Sequence, residues 1–171
     1  GVQTCALPIC FDVVAYKGNG TAGYTIPHSL NKIPEMMWVK NREQGSHNWM
    51  VMHSGITSSA GSGAKNYIYL NTNSARADSI HAWNNTDPTS THITLGGSGE
   101  VNTNNRDYIA ILFASVEGIS KVGSYVGSDS DLTITTGFQP RFIIIKGYDS
   151  NFMDWYVLDT LRGWGPGAEQ Y

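Results

Sequence analysis

The sequence predicts an all-β fold: an antiparallel β-sandwich or jelly-roll-like domain followed by a truncated second copy of that domain. Glycine, serine, threonine and asparagine are abundant and only 15% of the residues are charged, a composition that suits short strands joined by many turns. The sequence shows no sustained helical period. It also contains an internal repeat, because Pro34, Lys40, Trp49 and Val51 each recur at one constant spacing, which for the two prolines is 140 − 34 = 106 residues.

The repeat covers residues 34–53 and 140–159 and predicts the same pair of antiparallel strands in both places. Met36–Val39 and Phe142–Ile145 are continuous apolar runs bounded by proline and lysine, which is typical of a strand that is covered on both faces. We therefore expect both runs to form central strands of a sheet and not edge strands.

The second strand of each copy contains a tryptophan and a valine two positions apart, Trp49 and Val51 in the first copy and Trp155 and Val157 in the second. Residues two apart in a strand point to the same face. We expect that face to be the core, with Trp49 and Trp155 equivalently buried. Truncation of Trp49 to alanine would then cost about 3–5 kcal/mol.

The first residues differ in character from the rest of the chain. Gly1–Ile9 matches the conceptual translation of a common short-read sequencing adapter, and Cys10 also fits the leftover base. A short apolar leader is the alternative interpretation. We expect residues 1–10 to be a non-native leader outside the fold, with Cys5 and Cys10 unbonded, so that neither cysteine indicates a redox compartment.

The far end of the chain begins to repeat a later part of the first copy. Ala64–Tyr67 is echoed by Ala168–Tyr171, which predicts that the second copy stops where its third strong strand begins. Four segments follow from these patterns: a leader at 1–10, a complete β-sandwich at 11–115, a linker at 116–120, and the N-terminal half of a second copy at 121–171.

The first copy contains about eight strand candidates separated by turn signals, as expected for one sandwich of roughly 100 residues. Phe11–Tyr16 is followed by Asn19-Gly20, a pair that favours a tight hairpin turn, so Thr25-Ile26 is predicted to return beside the first strand. Their counterparts in the second copy are Lys121–Tyr125 and Thr133-Ile134. The remaining candidates are Tyr67–Asn71, Ser79–Trp83, His92–Leu95 and Asp107–Ala114, of which the last is a second central strand.

The charge of the chain limits its partners. A formal net charge of −3 without a basic stripe argues against nucleic acid as a partner. The sequence contains no run of about 18 apolar residues, so it predicts no membrane insertion.

Motifs spread over the chain carry a family resemblance. They are Phe11-x-x-Val14-x-Tyr16-x-Gly18-Asn19-Gly20, His28-x-Leu30, Pro34–Met37, Asn48-Trp49, Trp83-Asn84, Tyr108–Ala114 and Lys121–Tyr125. Together they resemble a family of uncharacterised tandem β domains in predicted tail-fibre or appendage proteins of marine phages and in environmental sequences. The resemblance covers residues 11–171, and the second copy departs from it with Asp159 where the first has His53.

The resemblance implies a fibre protein of the virion, or another extracellular location, with other fibre subunits as partners in a homotrimer. It carries no established activity, and therefore implies no catalytic residue, no cofactor and no particular receptor.

The acidic and histidine residues do not form a catalytic or metal-binding pattern. A glycosidase needs two carboxylates at a set separation, and here they fall singly at strand ends or in loops. The histidines show no metal-ligand spacing, and Asp129-Ser130-Asp131 resembles a turn more than a calcium loop, because Leu132 breaks the pattern. We therefore predict a protein that is not an enzyme and has no metal. The residues considered are Glu35, Glu43, Asp78, Asp87, Glu100 and Asp107, and His28, His47, His53, His81 and His92.

Two functions remain: a structural module of a fibre and, as the alternative, a carbohydrate- or receptor-binding module that recognises a host cell-surface glycan. The candidate sugar site is Trp83 with Asn84, Asn85 and Asp87, since an indole face stacks on a pyranose while amide and carboxylate groups bind its hydroxyls. The competing interpretation is that Trp83 ends a strand and packs inward. An exposed aromatic residue beside clustered asparagine and aspartate would favour binding.

Overall fold

The computed structural model describes residues 9–59 and 61–162. Twelve strands lie among them, together with two single-turn helices, α1 (Ile80–Trp83) and α2 (Gly99–Asn102), and a 3₁₀ turn at Gly63–Lys65. The strands are β1 (Phe11–Lys17), β2 (Tyr24–Pro27), β3 (Met36–Asn41), β4 (Met50–His53), β5 (Thr57–Ser58), β6 (Gly61–Ser62), β7 (Asn66–Tyr69), β8 (Ala77–Asp78), β9 (His92–Leu95), β10 (Asp107–Phe113), β11 (Phe142–Lys146) and β12 (Trp155–Asp159). The predicted all-β class is confirmed.

A six-stranded antiparallel sheet in the order β1-β10-β3-β4-β7-β8 forms the framework of the molecule. Strand β3 lies between β10 and β4, and β10 lies between β1 and β3, so both are central strands as predicted. Among the described residues β11 pairs only with β12, so the prediction that the run at Phe142–Ile145 is a central strand is wrong. The register places Met37 opposite Leu112 of β10 and Met52 of β4. Strand β1 forms one edge of this sheet.

The inner face of the six-stranded sheet packs against a second layer made of the β2–β9 pair and the two helices, which gives a sandwich-like arrangement. The core between the layers is apolar and closely packed. Its fully buried members include Leu30, Met37, Val39, Met52, Trp83, Ile93, Leu95, Val101, Tyr108 and Leu112.

The predicted hairpin between the first two strands is wrong. Strand β1 pairs with β10, and β2 pairs with β9, so the turn at Asn19-Gly20 carries the chain from the sheet into the second layer. The Gly20 amide donates to the Asn102 carbonyl oxygen at 3.0 Å, which ties this turn to α2 instead of closing a hairpin.

The predicted strand at Ser79–Trp83 is wrong as well, because this segment forms helix α1. The Ser79 side chain caps the helix by accepting a hydrogen bond from the His81 amide, and Asn84 ends it in the left-handed conformation at φ 54°. This single turn places Ala82 and Trp83 in the core.

The segment after Phe113 forms a turn and then a second hairpin. Val116 and Ser120, within the predicted linker, pair as an isolated bridge, and Val116 is buried. Residues 121–125 and 133–134 are not strands, so those two predicted counterparts are wrong. Strands β11 and β12 do form a two-stranded antiparallel sheet, as the repeat predicts.

The outer face of the six-stranded sheet carries a smaller cluster of buried apolar side chains, Met36, Val51, Ile56 and Ile68. Strand β4 sends Met50 and Met52 into the inner core and Val51 to this outer face. The prediction that Val51 faces the main core is therefore wrong, because Val51 packs in the outer cluster. Trp49 and Trp155 are each partly buried, so the large core penalty expected for Trp49 does not apply.

Cys10 has a free thiol, and its carbonyl oxygen accepts a hydrogen bond from the Ala114 amide at 2.9 Å. This bond extends the β1–β10 pairing by one residue. Cys10 is therefore part of the fold, and the prediction that it lies outside is wrong. Ile9 is 42% exposed and lies outside the strands, whereas residues 1–8 of the predicted leader, including Cys5, lie outside the described part of the chain. The predicted echo at residues 168–171 lies outside it too.

Candidate functional site

Trp83, the centre of the predicted sugar site, is buried in the core at 0% exposure. Its indole Nε1 donates to the Asn66 carbonyl oxygen at 3.1 Å. A ring without solvent-exposed surface has no face on which a sugar can stack. The structure therefore corrects the proposed role of Trp83 and agrees with the alternative in which it packs inward.

The polar residues after Trp83 form a turn and do not border an aromatic surface. Asn84 and Asn85 both have left-handed backbones, at φ 54° and 49°. The exposed Asp87 accepts a hydrogen bond from the Ala64 amide at 3.1 Å, which joins this turn to the 3₁₀ turn. The structure thus gives all three predicted partners of Trp83 a role in local backbone geometry.

The described residues include no group of three or more His, Cys, Asp or Glu side chains that could hold a metal ion. Two of the single carboxylates form exposed ion pairs, Asp107 with Lys17 at 2.8 Å and Glu43 with Arg106 at 3.4 Å. The hydrogen bond from Lys17 lowers the pKa of Asp107 below its usual value.

The β11–β12 hairpin reproduces the β3–β4 hairpin in register. Met36 lies opposite His53, and the residues 106 positions later, Phe142 and Asp159, also lie opposite each other. Each of the four paired positions of β3 and β4 has its counterpart paired in β11 and β12. The repeat in the sequence therefore corresponds to a repeat in backbone pairing.

A lysine clamps the loop in both hairpins. Nζ of Lys40 donates to the carbonyl oxygen of His47, and Nζ of Lys146 donates to the carbonyl oxygen of Met153, the equivalent residue. By donating a hydrogen bond to a carbonyl oxygen of the loop, the ammonium group holds the loop against the end of the strand. This shared bond explains why the lysine recurs while the other loop residues differ.

The second hairpin packs on the outer face of the six-stranded sheet. Trp155 and Tyr148 pack against the outer cluster together with Val122 from the preceding segment. Nε1 of Trp155 donates to the Tyr69 carbonyl oxygen at 2.9 Å. The apolar burial and this directed hydrogen bond together position the hairpin on the end of β7.

Hydrogen bonds from the loop between β7 and β8 add to this contact. The Arg76 amide donates to the Tyr148 carbonyl oxygen at 2.8 Å, and the Ala75 amide donates to Oδ1 of Asn151 at 2.9 Å. Arg76 also forms an ion pair with Asp149 at 3.1 Å. The Asp149 side chain is 72% exposed, so water screens the pair and it contributes little to the stability of the contact.

The two parts approach closely at Gly55, where a side chain would meet that of the exposed Ser124. A Cβ atom on Gly55 would lie 2.6 Å from Oγ of Ser124, well inside van der Waals contact. The Gly55 carbonyl oxygen also accepts a hydrogen bond from the Tyr148 hydroxyl at 3.4 Å. Gly55 thus allows the segment before the second hairpin to lie against the end of β4.

Lys146, which holds the loop of the second hairpin, also contacts the ring of Trp155. Its Nζ lies 5.8 Å from the centroid of the Trp155 ring, within the range of a cation–π contact. Burial lowers the pKa of Lys146, and the nearby carboxylate of Asp154 opposes that shift. Burial also raises the pKa of the Tyr69 hydroxyl, on the strand that receives the indole, to about 12.

An open cleft of about 600 Å³ lies at one end of the docked hairpin. Its lining comes from the end of β7 and the loop after it, with Leu70, Asn71, Thr72 and Asn73, and from the β11–β12 hairpin, with Asp154 and Trp155. Asn71 is held in place, because its Oδ1 accepts from the Trp49 amide at 2.9 Å and its Nδ2 donates to Oδ1 of Asn48 at 2.9 Å. A partly exposed tryptophan therefore borders clustered amide and carboxylate groups here, and not at Trp83.

Sequence reasoning missed this surface. The repeat placed Trp155 in a core, and no pattern marked Tyr69, Arg76 or Tyr148 as its partners. Several of their hydrogen bonds involve backbone groups. Every residue has those groups, so the sequence does not show where such bonds form. The signal that was available is the repeat itself, which predicted the β11–β12 hairpin that carries Trp155.

A family model described as "Domain of unknown function (DUF7483)" matches residues 5–166. The match therefore spans both hairpins and the segment between them. No curated protein and no solved structure shows significant similarity to the chain.

Proposed function

The chain belongs to the DUF7483 family, and we propose that it is a non-enzymatic structural module of a tail fibre or similar virion appendage. In this role, successive β domains pack on one another and hold a fixed spacing. The setting, on the virion or otherwise outside the cell and beside other fibre subunits in a homotrimer, comes from the resemblance of its motifs to predicted phage appendage proteins.

The observation that carries the proposal is the docked second hairpin. Two hairpins with the same register and the same lysine clamp lie in one chain, and the second packs on the outer face of the first copy through Trp155 and Tyr148. A linker alone would leave the copies free to move. Apolar burial combined with backbone hydrogen bonds opposes that motion, which is what a spacer needs.

The experiment measures hydrogen exchange at the Ala75 and Arg76 amides, which donate across the contact. In the unaltered chain both amides are expected to be protected. Trp155→Ala removes the indole hydrogen bond and its packing, and we expect exchange at both amides to rise by roughly tenfold or more while exchange in β10 stays unchanged. Tyr156→Ala, at a neighbouring side chain that is 63% exposed, is the matched control.

Unprotected Ala75 and Arg76 amides in the unaltered chain would contradict the structural proposal. So would equal effects of Trp155→Ala and Tyr156→Ala, because the contact would then not depend on the docked tryptophan.

A second candidate function is recognition of a host cell-surface glycan, and the cleft at Trp155 favours it. The cleft combines an aromatic side chain with Asn71, Asn73 and Asp154, groups that suit a pyranose ring and its hydroxyls. A glycan array probed with the unaltered chain and with Asn73→Ala and Asp154→Ala variants tests it. Binding that both variants lose, with their melting temperature unchanged, supports the function; an array without binding rejects it.

No helix among the described residues is long and apolar enough to cross a membrane.

A further inference from the structure

Gly55 lies between the side chain of His53 and the docked part of the chain, which contains the second hairpin. Its amide donates to Nδ1 of His53 at 2.9 Å, and its carbonyl oxygen accepts from the hydroxyl of Tyr148 at 3.4 Å. A Cβ atom on Gly55 would lie 3.1 Å from Cε1 of His53 and 2.6 Å from Oγ of Ser124. The imidazole ring and the docked part therefore lie against the same residue.

The hydrogen bond from Gly55 requires His53 to be neutral. An imidazole nitrogen accepts a hydrogen bond only through its lone pair, so Nδ1 carries no proton in this arrangement and the proton is on Nε2. Protonation of Nδ1 would place an N–H group opposite the N–H group of Gly55. Two donors cannot bond to each other, so either the ring turns or the backbone at residue 55 moves.

The carboxylate of Glu35 offers the charged ring a different partner. It acts on His53 electrostatically and favours the protonated form. The same carboxylate accepts a hydrogen bond from the Ser115 amide, and Oγ of Ser115 accepts one from the Val122 amide at 3.0 Å. Glu35 therefore holds the start of the docked part, and an imidazolium at residue 53 competes for it.

We propose that His53 is a pH switch for docking of the β11–β12 hairpin, and that its protonation in mild acid loosens the contact with the outer face of the six-stranded sheet. The new charge disturbs two supports of the docked part at once, the Gly55 backbone and the Glu35 carboxylate. The inference rests on the proposed structural function, because it adds regulation to the same contact.

The groups around His53 set the direction of the switch. Glu35 is the charged group that acts on it from the segment before β3, Met36 opposite it on β3 is uncharged, and the hydroxyl of Tyr148 is the titratable group from the hairpin side. Burial lowers the pKa of His53 below 6.5, and the Glu35 carboxylate opposes that shift.

Undocking removes the segment that lies against residue 55, which brings the His53 ring closer to water and returns its pKa toward the ordinary value. The docked state then binds fewer protons than the undocked state. Docking is therefore strongest above the ordinary pKa of about 6.5 and weakens as the pH falls through the lower docked value.

The test measures hydrogen exchange of the full chain at the Ala75 and Arg76 amides, which donate across the contact. Rates between pH 7.5 and pH 5 are expressed as protection factors, so that the intrinsic effect of pH on exchange is removed. We expect protection of both amides in the unaltered chain to fall by about fivefold or more over this range. Amides of β10 should stay better protected than both at every pH, because the opening is local.

Two variants isolate His53. His53→Asn keeps an acceptor for the Gly55 amide but does not titrate, so protection of the two reporter amides should stay nearly constant. His28→Asn is the matched control, because Nδ1 of His28 also accepts from the amide two residues further on, that of Leu30 at 3.3 Å, in the loop after β2. It should respond to acid as the unaltered chain does. Equal acid responses in the unaltered chain and His53→Asn, or a response that His28→Asn also removes, would overturn the inference.

A second measurement does not depend on how well His53→Asn folds. Docking and protonation are linked, so a change that weakens docking must raise the pKa of His53. NMR titration of this imidazole in the unaltered chain and in Trp155→Ala should therefore give a higher pKa in the variant. Equal pKa values, or a lower one in Trp155→Ala, would contradict a link between His53 and the docked hairpin.

Failure of the switch is distinguishable from failure of the proposed function. If the Ala75 and Arg76 amides are protected at pH 7.5 and equally protected at pH 5, only the switch is rejected. If they are unprotected at pH 7.5, the docked arrangement is rejected, and the structural function with it.

Discussion

His53 and Asp159 occupy equivalent positions in the two hairpins, and each side chain accepts a hydrogen bond from the backbone amide two residues further on, at 2.9 Å in both cases. Nδ1 of His53 accepts from Gly55, and Oδ1 of Asp159 accepts from Leu161. The repeat therefore keeps the bond while the residue changes. A histidine can accept through Nδ1 only when that nitrogen carries no proton, which makes the first hairpin sensitive to pH.

The first prediction is a loss of stability in mild acid that depends on His53. Burial lowers the pKa of His53 below 6.5, and the carboxylate of Glu35 opposes that shift. The folded state then binds fewer protons than the unfolded state, so this contribution to stability is present above the unfolded pKa of about 6.5 and is lost as the pH falls through the lower folded value.

His53→Asn keeps an acceptor for the Gly55 amide but does not titrate. Melting temperatures measured between pH 7.5 and pH 4.5 should therefore fall more steeply for the unaltered chain than for the variant. Parallel curves for the two proteins would show that His53 does not report pH in this way.

The second prediction concerns Trp83. Replacing it with alanine removes a fully buried indole and leaves the Asn66 carbonyl oxygen without its donor, so we expect a loss of about 3–5 kcal/mol in the free energy of unfolding. Ile80→Ala, in the same helical turn at a side chain that is 52% exposed, should change it by less than about 0.5 kcal/mol. Denaturant titration of both variants measures the difference, and similar values would disprove the core role.

The third prediction compares two adjacent glycines. A Cβ atom at residue 96 would lie 2.2 Å from the His81 carbonyl oxygen, whereas one at residue 97 would meet nothing within 4 Å. Gly96→Ala should therefore destabilise the fold by about 1–3 kcal/mol, because α1 and the end of β9 must move apart. Gly97→Ala should have little effect on the same thermal unfolding curve. A tolerated Gly96→Ala would show that this contact is looser than described.

The fourth prediction concerns Asn102, which is fully buried. Its Oδ1 accepts from the Asn19 amide at 2.9 Å, and its Nδ2 donates to the carbonyl oxygens of Thr21 and Gly96 at 2.9 and 3.0 Å. Asn102→Asp replaces the donor with a charged oxygen facing two carbonyls, so at pH 7 we expect a loss of about 3 kcal/mol or more.

The loss in Asn102→Asp should shrink in acid, because a protonated carboxyl regains one donor. Asn104→Ala, at an exposed position in the next turn, serves as the control. A variant whose chemical denaturation matches that of the unaltered chain at pH 7 would show that the network around Asn102 is dispensable.

Long apolar runs made the central strands predictable. Strands β3 and β10 were expected within one or two residues because burial on both faces demands a continuous apolar sequence, and residue type records burial. The same kind of run located β11 as a strand but wrongly predicted that it is central, because β11 lies in a two-stranded sheet. The pairing of β1 with β10 was not predictable from the Asn19-Gly20 turn. That turn satisfies a local preference, and the register of β2 is set instead by β9, which lies nearly seventy residues away.

Helix α1 was not predictable from the sequence because it is short. Four residues are too few to display a helical period, and Ile80 and Trp83 read equally well as parts of a strand. The flanking Ser79 and Asn84 are ordinary cap residues and were the one local signal available. For the candidate site, the sequence predicted the right kinds of residue in the wrong place. A tryptophan beside asparagine and aspartate does exist, but it is Trp155 beside Asn71.

The contact between the two hairpins rests largely on main-chain acceptors in the first copy. Trp155 and Tyr148 donate to the carbonyl oxygens of Tyr69 and Gly55. A carbonyl oxygen is present whatever side chain its residue carries, so substitutions at residue 69 leave that acceptor in place. In the array of copies that we propose, the same contact can therefore persist while the side chains of the first hairpin's surroundings change.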